Sequence, residues 1–251
     1  MITLRANAKL TWYLEVTRRR DDGYHELRSE MTTLDFGDVL RVDESGDYLR
    51  VLGTPDVQVP ADATNIVARA LNLVGRRAGV VIEKVVPVGG GLGGGSADAG
   101  AILRWAGGVD PTRAVVLGGD VPFCQMGGRA IVEGVGERLT PLAFEARDVT
   151  LIMPRGLRVD TAECYRAYDE LRARGWRPTG SNHLEEPAGA VEPRLATTLA
   201  WLRAEFGPGV GLAGSGSTLF VAGHLRSDVD HWDVTGPDVT LAFHQTTTTP
   251  S

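Results

Sequence analysis

Val86-Pro87-Val88-Gly89-Gly90-Gly91-Leu92-Gly93-Gly94-Gly95-Ser96-Ala97-Asp98 is the stretch on which the reading of this chain turns. Six of the seven residues from 89 to 95 are glycine. Glycine has no Cβ to fill a core, reaches backbone angles closed to other residues and costs extra entropy to order. Such a run is useful where backbone amides must stand bare and close to a ligand. It follows an apolar, β-branched segment, residues 80–88. It leads into Ser96-Ala97-Asp98-Ala99-Gly100-Ala101-Ile102-Leu103, which predicts a helix with Ser96 near its N-cap. Strand, glycine loop and helix N-terminus together gather free N–H groups and the positive end of a helix dipole, an arrangement suited to phosphate. The plain alternative is a flexible linker, but linkers rarely open onto capped helices.

Upstream, the chain reads as an antiparallel sheet followed by one helix. Residues 9–16, Lys-Leu-Thr-Trp-Tyr-Leu-Glu-Val, put Leu10, Trp12, Leu14 and Val16 on one strand face and Lys9 on the opposite, polar face. A turn at Arg20-Asp21-Asp22-Gly23 leads to Tyr24-His25-Glu26-Leu27. Residues 31–42 continue as strand, interrupted at Gly37-Asp38, and 48–52 and 57–59 are weaker strand candidates. A helix is predicted over 64–77, capped by Thr64 or Asp62, with Ile66, Val67, Ala70, Leu71 and Val74 in one apolar stripe.

Downstream, the helix from Ser96 stops at Gly107-Gly108, and a short helical piece, 111–117, precedes Gly118-Gly119-Asp120-Val121-Pro122-Phe123. Glycines and a proline put Asp120 on a tight, exposed turn. Strands follow at 129–133 and 138–142. A second region begins near Val149, so domains are expected over 1–147 and 148–251. It reads as strand 149–153, helix 162–174, a loop-rich stretch 175–190 and helix 193–206. A second glycine loop, Gly211-Leu212-Ala213-Gly214-Ser215-Gly216-Ser217, comes next, then strands 218–222 and 239–243. The threonine-rich tail, 244–251, is expected to be disordered.

A chain of 251 residues with 43% hydrophobic and 23% charged content is an ordinary globular protein. Its net charge of −6 argues against nucleic acid as the main partner, which would need clustered Lys and Arg. Arg18-Arg19-Arg20 is followed at once by two acids. No segment approaches a membrane span and none resembles a signal peptide. Cys124 and Cys164 read as free thiols in a reducing compartment, and no Cys/His spacing suggests a metal. A cytoplasmic protein without membrane partners, a monomer or homodimer, is expected.

Gly89-x-Gly91-x-x-Gly94 matches the dinucleotide fingerprint in letters but not in context, because no second strand with a terminal acid follows. The nucleotide P-loop is excluded by the lack of Gly-Lys-Ser or Gly-Lys-Thr, and the protein-kinase set is absent. A third kind of loop fits. Ala8-Lys9-Leu10, Asp22-Gly23-Tyr24-His25-Glu26-Leu27, Asn65-Ile66-Val67, Pro87 to Ser96, Gly119-Asp120-Val121-Pro122-Phe123, Glu133-Gly134-Val135-Gly136-Glu137 and Gly214-Ser215-Gly216-Ser217 resemble, in order, the motifs of the GHMP kinase superfamily. Within it they look most like the branch acting on 4-diphosphocytidyl-2-C-methyl-D-erythritol in non-mevalonate isoprenoid synthesis.

The resemblance implies an α+β fold with an S5-domain-2-like N-terminal domain and a ferredoxin-like C-terminal domain. It implies an ATP- and Mg²⁺-dependent kinase that phosphorylates the 2-hydroxyl of a small cytidine-diphosphate substrate. ATP would be held by Asn65, Pro87, Gly89, Gly90, Gly91, Leu92, Gly93, Gly94, Gly95 and Ser96, with no protein metal site. Asp120 would be the base and Lys9 its partner, where the residues alone would read as a turn aspartate and a strand lysine. Tyr24, His25 and Tyr165 would clamp the cytosine, with Thr161 and Asn182 on the substrate side; helical spacing alone would make Tyr165 a core residue. Rival readings are a GHMP kinase for another small alcohol and an inactive nucleotide-binding relative. Thr11 stands where the family has Asn, and Asn7 where it has Pro. The segment between Ser96 and Asp120 is shorter than the family's, so a truncated or missing helix is expected behind the loop.

Overall fold

The computed structural model describes residues 1–53 and 59–250. Of the candidate strand 57–59, residues 57 and 58 lie outside this range, and Val59 is not in a strand. Two very long strands, β1 (Ile2–Arg19) and β2 (His25–Asp43), form an antiparallel hairpin that spans the molecule. Its register shifts between Asn7 and Lys9, between Thr11 and Tyr13, and between Val16 and Arg18. Those irregularities, with cover on both faces, break the simple alternation: Ala8, Lys9, Leu10 and Thr11 are all buried. Lys9 therefore does not lie on a solvated face, as the alternation predicts.

The other edge of β2 is shared. Strand β4 (Gly79–Glu83) pairs with residues 39–43, and β5 (Arg129–Gly134) pairs with 27–32. Strand β3 (Leu49–Leu52) runs parallel to β4, and β6 (Arg138–Pro141) closes the far edge beside β5. Helices α1 (Ile66–Leu73), α2 (Gly94–Trp105), α3 (Pro111–Ala114) and α4 (Val121–Met126) cover this sheet over a core that includes Leu40, Val80, Ile82, Ile102, Leu103 and Phe123. Helix α1 is capped by Asn65, whose Oδ1 accepts from Val67 N, and not by Thr64 or Asp62; Asp62 instead closes a turn onto Thr64. Helix α2 starts two residues before Ser96, with Gly93 (φ 68°) as its cap, so the serine sits inside the first turn.

A second sheet, in the order β10-β11-β7-β9-β8, comes from β7 (Asp148–Pro154), β8 (Gly211–Leu212), β9 (Leu219–Ala222), β10 (His231–Thr235) and β11 (Thr240–Thr247). Helices α5 (Thr161–Ala173), α6 (Glu185–Val191) and α7 (Pro193–Phe206) pack on it. Helix α6 lies in the stretch read as loop, and β10 was not foreseen in the sequence. The tail is ordered, contrary to expectation. Gln245, Thr246 and Thr248 are buried, and Gln245 Nε2 donates to the carbonyls of Arg226 and Val229. Beyond β11, Thr248 and Thr249 reach the gap that β4 and β5 leave on β2: Thr248 bridges Leu34, and Thr249 N donates to Thr33 O at 2.9 Å. Residues of both sheets, among them Ala8, Leu10 and Leu34 with Val149, Leu151 and Phe220, form one further core beneath the glycine loop.

The short segment after α2 is braced, not loose. Gln125 of α4 holds Val109 from both sides, accepting from its N–H at 3.1 Å and donating to its carbonyl at 2.8 Å.

Candidate active site

The glycine loop crosses the top of β1 and starts α2. Three glycines alternate into the left-handed region, Gly89 (φ 73°), Gly91 (φ 78°) and Gly93 (φ 68°), which turns the chain without side chains in the way. The loop is fixed at several points. Leu92 O accepts from Lys9 N at 3.0 Å, and Gly90 O accepts from Thr218 N at 3.1 Å. A Cβ on Gly91 would collide with Ala213 O and lie 3.0 Å from Gly216 O, so the two loops interlock only because residue 91 has no side chain. On Gly93 a Cβ would stand 2.9 Å from Lys9 Cγ.

Asp120 is presented by two close packings. Gly100 of α2 lets α4 approach so closely that a Cβ would meet Cys124 O at 2.7 Å. The Gly134-Val135-Gly136 turn presses on Gly119, where a Cβ would meet Val135 O at 2.7 Å. Asp120 is the cap residue of α4, but its side chain makes no capping bond and is left free. It pairs with Lys9, Nζ to Oδ2 3.3 Å, with Lys9 5% and Asp120 32% exposed at the side chain. Lys9 Nζ also donates to Thr11 Oγ1 at 3.1 Å, so the threonine that replaces asparagine still supplies an acceptor.

This pair sits where two cavities meet. One, of about 450 Å³, is lined by Lys9, Asn65, Pro87, the glycines of the loop and Ser96. The other, of about 610 Å³, is lined by Tyr24, His25, Gly119, Tyr165 and Asp169. Ser96, Asp120, Thr161 and Tyr165 border both, so the cleft is continuous. Leu92 is fully buried beneath the loop. Thr161 Oγ1 lies 2.9 Å from Ser215 Oγ of the second glycine loop. Tyr24 is 66% exposed. His25 stacks on Tyr165 at 4.8 Å between ring centres and 18° between planes. Burial, reinforced by the charge of Asp120, raises the Tyr165 hydroxyl above its ordinary value.

Asn182 is not in this company. It is buried, its Nδ2 donates to Leu212 O at 2.9 Å and Gly214 O at 2.7 Å, and its Oδ1 accepts from Leu184 N. Its amide is spent on holding the second glycine loop, and it lines neither cavity. Asn65 lines the first cavity, but its Nδ2 donates to Pro60 O at 2.6 Å and its Oδ1 caps α1.

Sequence reasoning also missed a buried triad behind the loop. Lys84 Nζ bonds Asp38 Oδ2 and, at 2.7 Å, Asp98 Oδ2; Asp38 Oδ1 accepts from Val85 N and from Val86 N at 2.8 Å. Asp98 Oδ1 is buried without a partner. Burial lifts Asp98 from the ordinary 3.8 to about 7, only partly offset by Lys84. Burial alone would lower Lys84, but Asp98 and Asp38 hold it above its usual value. Between the ordinary 3.8 and about 7 the folded protein therefore keeps a proton on Asp98 that the unfolded chain has lost. Asp98's own contribution to stability falls as pH rises through that window. Asp98→Asn is expected to abolish that fall, flattening the urea midpoint between pH 5 and pH 8. An unchanged slope would show that Asp98 is ionised throughout.

Among the described residues, no three His, Cys, Asp or Glu side chains converge on a metal position, and no helix is long and apolar enough to cross a membrane. Cys124 and Cys164 are free and buried.

No protein-family model matches the chain. The 4-diphosphocytidyl-2-C-methyl-D-erythritol kinase of Paracoccus denitrificans (strain Pd 1222) is 38% identical over 233 residues, covering 86% of this chain and 84% of that protein. A crystal structure of 4-(cytidine 5'-diphospho)-2C-methyl-D-erythritol kinase superposes with a TM-score of 0.68 at 36% identity, over 87% of this chain and 89% of that one. A mevalonate kinase shares the fold, with a TM-score of 0.56 at 12% identity over 98% and 99% of the two chains.

Proposed function

Because the chain belongs to the 4-diphosphocytidyl-2-C-methyl-D-erythritol kinase family, within the GHMP kinases, we propose that Lys9 and Asp120 transfer phosphate between ATP in the loop-side cavity and a cytidine-diphosphate alcohol in the other. The protein is an alcohol-accepting phosphotransferase of the non-mevalonate isoprenoid pathway. The observation that carries the assignment of roles is the Lys9–Asp120 pair, set where the two cavities join.

Phosphoryl transfer asks mainly for positioning and charge stabilisation. The free amides of the Gly89–Gly95 loop and the first turn of α2 hold the β- and γ-phosphates, with Asn65 and Pro87 on the nucleoside side. As the substrate 2-hydroxyl attacks the γ-phosphorus, the new O–P bond forms, the bond to the β-phosphate oxygen breaks and ADP leaves. Asp120 takes the hydroxyl proton. Lys9 holds Asp120 in place and faces the charge that builds on the transferring group. Mg²⁺ commonly keeps most of its ligands as water and phosphate oxygens; the Ser96 hydroxyl, which borders both cavities, would be the side chain to hold it, and the ion would neutralise phosphate charge. Tyr24, His25 and Tyr165 take the cytosine, and Thr161 faces the substrate. The ATP side falls mainly within 1–147 and the substrate side draws on 148–251, with Tyr24 and His25 as contributions from the first half. Two free thiols and use of ATP accord with a cytoplasmic enzyme.

With ATP and Mg²⁺, ADP release is expected with 4-diphosphocytidyl-2-C-methyl-D-erythritol and not with mevalonate or homoserine, and mass spectrometry should find one added phosphate on the alcohol. Release only with another alcohol would overturn the substrate assignment.

A further inference from the structure

His25 commits one ring nitrogen and leaves the other open. Its Nε2 lies 2.8 Å from Asp169 Oδ1, and its side chain is 7% exposed. Nδ1 takes no hydrogen bond among the described residues, yet it is not one of the polar atoms sealed from solvent without a partner. The ring borders the substrate-side cavity, stacked on Tyr165 and edge-on to Tyr168 at 5.8 Å. Asp169 is itself anchored: Arg19 Nε lies 3.2 Å from its other oxygen, Oδ2.

We propose that Asp169 is a specificity-determining positioning residue that holds His25 in the tautomer whose bare Nδ1 accepts from the amino group of cytosine and repels the carbonyl of uracil. The proposal rests on the reading of this cavity as a cytidine site. A carboxylate can only accept hydrogen bonds, so the neutral ring must carry its proton on Nε2. Nδ1 is then an acceptor by elimination. Cytosine and uracil differ at C4, where cytosine carries an amino donor and uracil a carbonyl acceptor. An acceptor fixed by packing discriminates between them, because uracil would leave two lone pairs facing each other with no proton between. Stacking on Tyr165 and the edge of Tyr168 keep the ring from turning, so the tautomer is the remaining variable, and Asp169 sets it.

The Arg19 contact makes the test sharp. In Asp169→Asn only one oxygen remains, and the guanidinium, which can only donate, claims it. The amide NH₂ then faces His25, Nε2 must accept, and the proton moves to Nδ1. The readouts are kcat and KM at pH 8.5 for 4-diphosphocytidyl-2-C-methyl-D-erythritol and its uridine analogue, and the ¹⁵N shifts of the His25 ring in the free enzyme. For the unmodified protein we expect a protonated Nε2, a bare Nδ1 and a preference for the cytidine substrate of about 10–100-fold in kcat/KM. In Asp169→Asn the two nitrogens exchange character, KM for the cytidine substrate rises about tenfold with kcat nearly constant, and the preference falls to about unity or below. Asp169→Ala should lose the preference without reversing it. An unchanged cytidine-to-uridine ratio in Asp169→Asn, or a protonated Nδ1 in the unmodified protein, would overturn the proposal. If neither compound is phosphorylated by the unmodified protein, the cytidine reading and its specificity claim both fall, while the ring spectrum still reports whether Asp169 sets the tautomer.

Discussion

Asp120→Asn is expected to lower kcat by about 10³-fold while leaving ATP affinity within a few-fold. A positioned general base contributes about 10²–10⁴-fold. Here the same carboxylate also orients Lys9, so its loss removes two linked contributions that do not separate. The substitution suits the question because the fold barely depends on the charge. Asp120 is a third exposed, makes no capping bond, and the amide keeps an oxygen for Lys9 Nζ. A stability loss of about 1 kcal/mol is the expected scale for a partly exposed pair with one charge removed. Single-turnover transfer from radiolabelled ATP measures the chemical step, and calorimetric titration with a non-hydrolysable analogue measures binding. A kcat within tenfold of the unmodified enzyme would remove Asp120 from the role of base.

Gly91→Ala should be the most damaging single methyl in the loop. At φ 78° any side chain is strained, and this one would also run into Ala213 O with Gly216 O 3.0 Å away. The backbone carbonyls of the second loop cannot rotate aside as a side chain would. Strain and overpacking together should cost on the order of 3 kcal/mol or more. Gly89→Ala is the internal comparison. Its φ is 73°, but nothing lies within 4 Å of the new methyl, so only the backbone cost, about 1–2 kcal/mol, applies. Urea midpoints and nucleotide Kd values of the two variants should separate clearly, with ATP binding lost far more in Gly91→Ala. Equal effects would mean that the loops are not interlocked in solution.

The glycine run, the Asp120 turn and most helices were legible because their signals are local: glycine and proline set backbone angles, and apolar periods of 3.6 mark α1 and α7. Lys9 was legible as chemistry only through family resemblance. Its own spacing put it on a solvated face, but the irregular strand and the cover on both faces bury it, and its partner Asp120 comes from far along the chain. The same reason hid Asp38, Lys84 and Asp98. A buried lysine between two aspartates has no sequence signature when each partner comes from a different element. Asn182 misled in the opposite sense: a polar residue near the substrate half turned out to spend its amide on the backbone of a neighbouring loop. The tail was misread on composition, since threonine is a good strand residue as well as a frequent one in disordered tails. Residues 244–247 are ordered by pairing with β7, and Thr248 and Thr249 by the vacant edge of β2 that receives them.

That vacant edge has a consequence for how the chain folds. Thr33 and Leu34 near one end meet Thr248 and Thr249 near the other, so nearly the whole described sequence is closed into one loop by these few bonds. Closing a loop of this length adds little equilibrium cost, because closure entropy grows only with the logarithm of length, but contacts so remote form late. Until they do, the edge of β2 between β4 and β5 is held only by the bond from Thr33 N to Gly128 O, and the Thr33 carbonyl and Leu34 stay open to another chain. The half-assembled kinase is thus left open at Thr33 and Leu34, directly across the hairpin from Lys9, and the threonine tail acts as the seal.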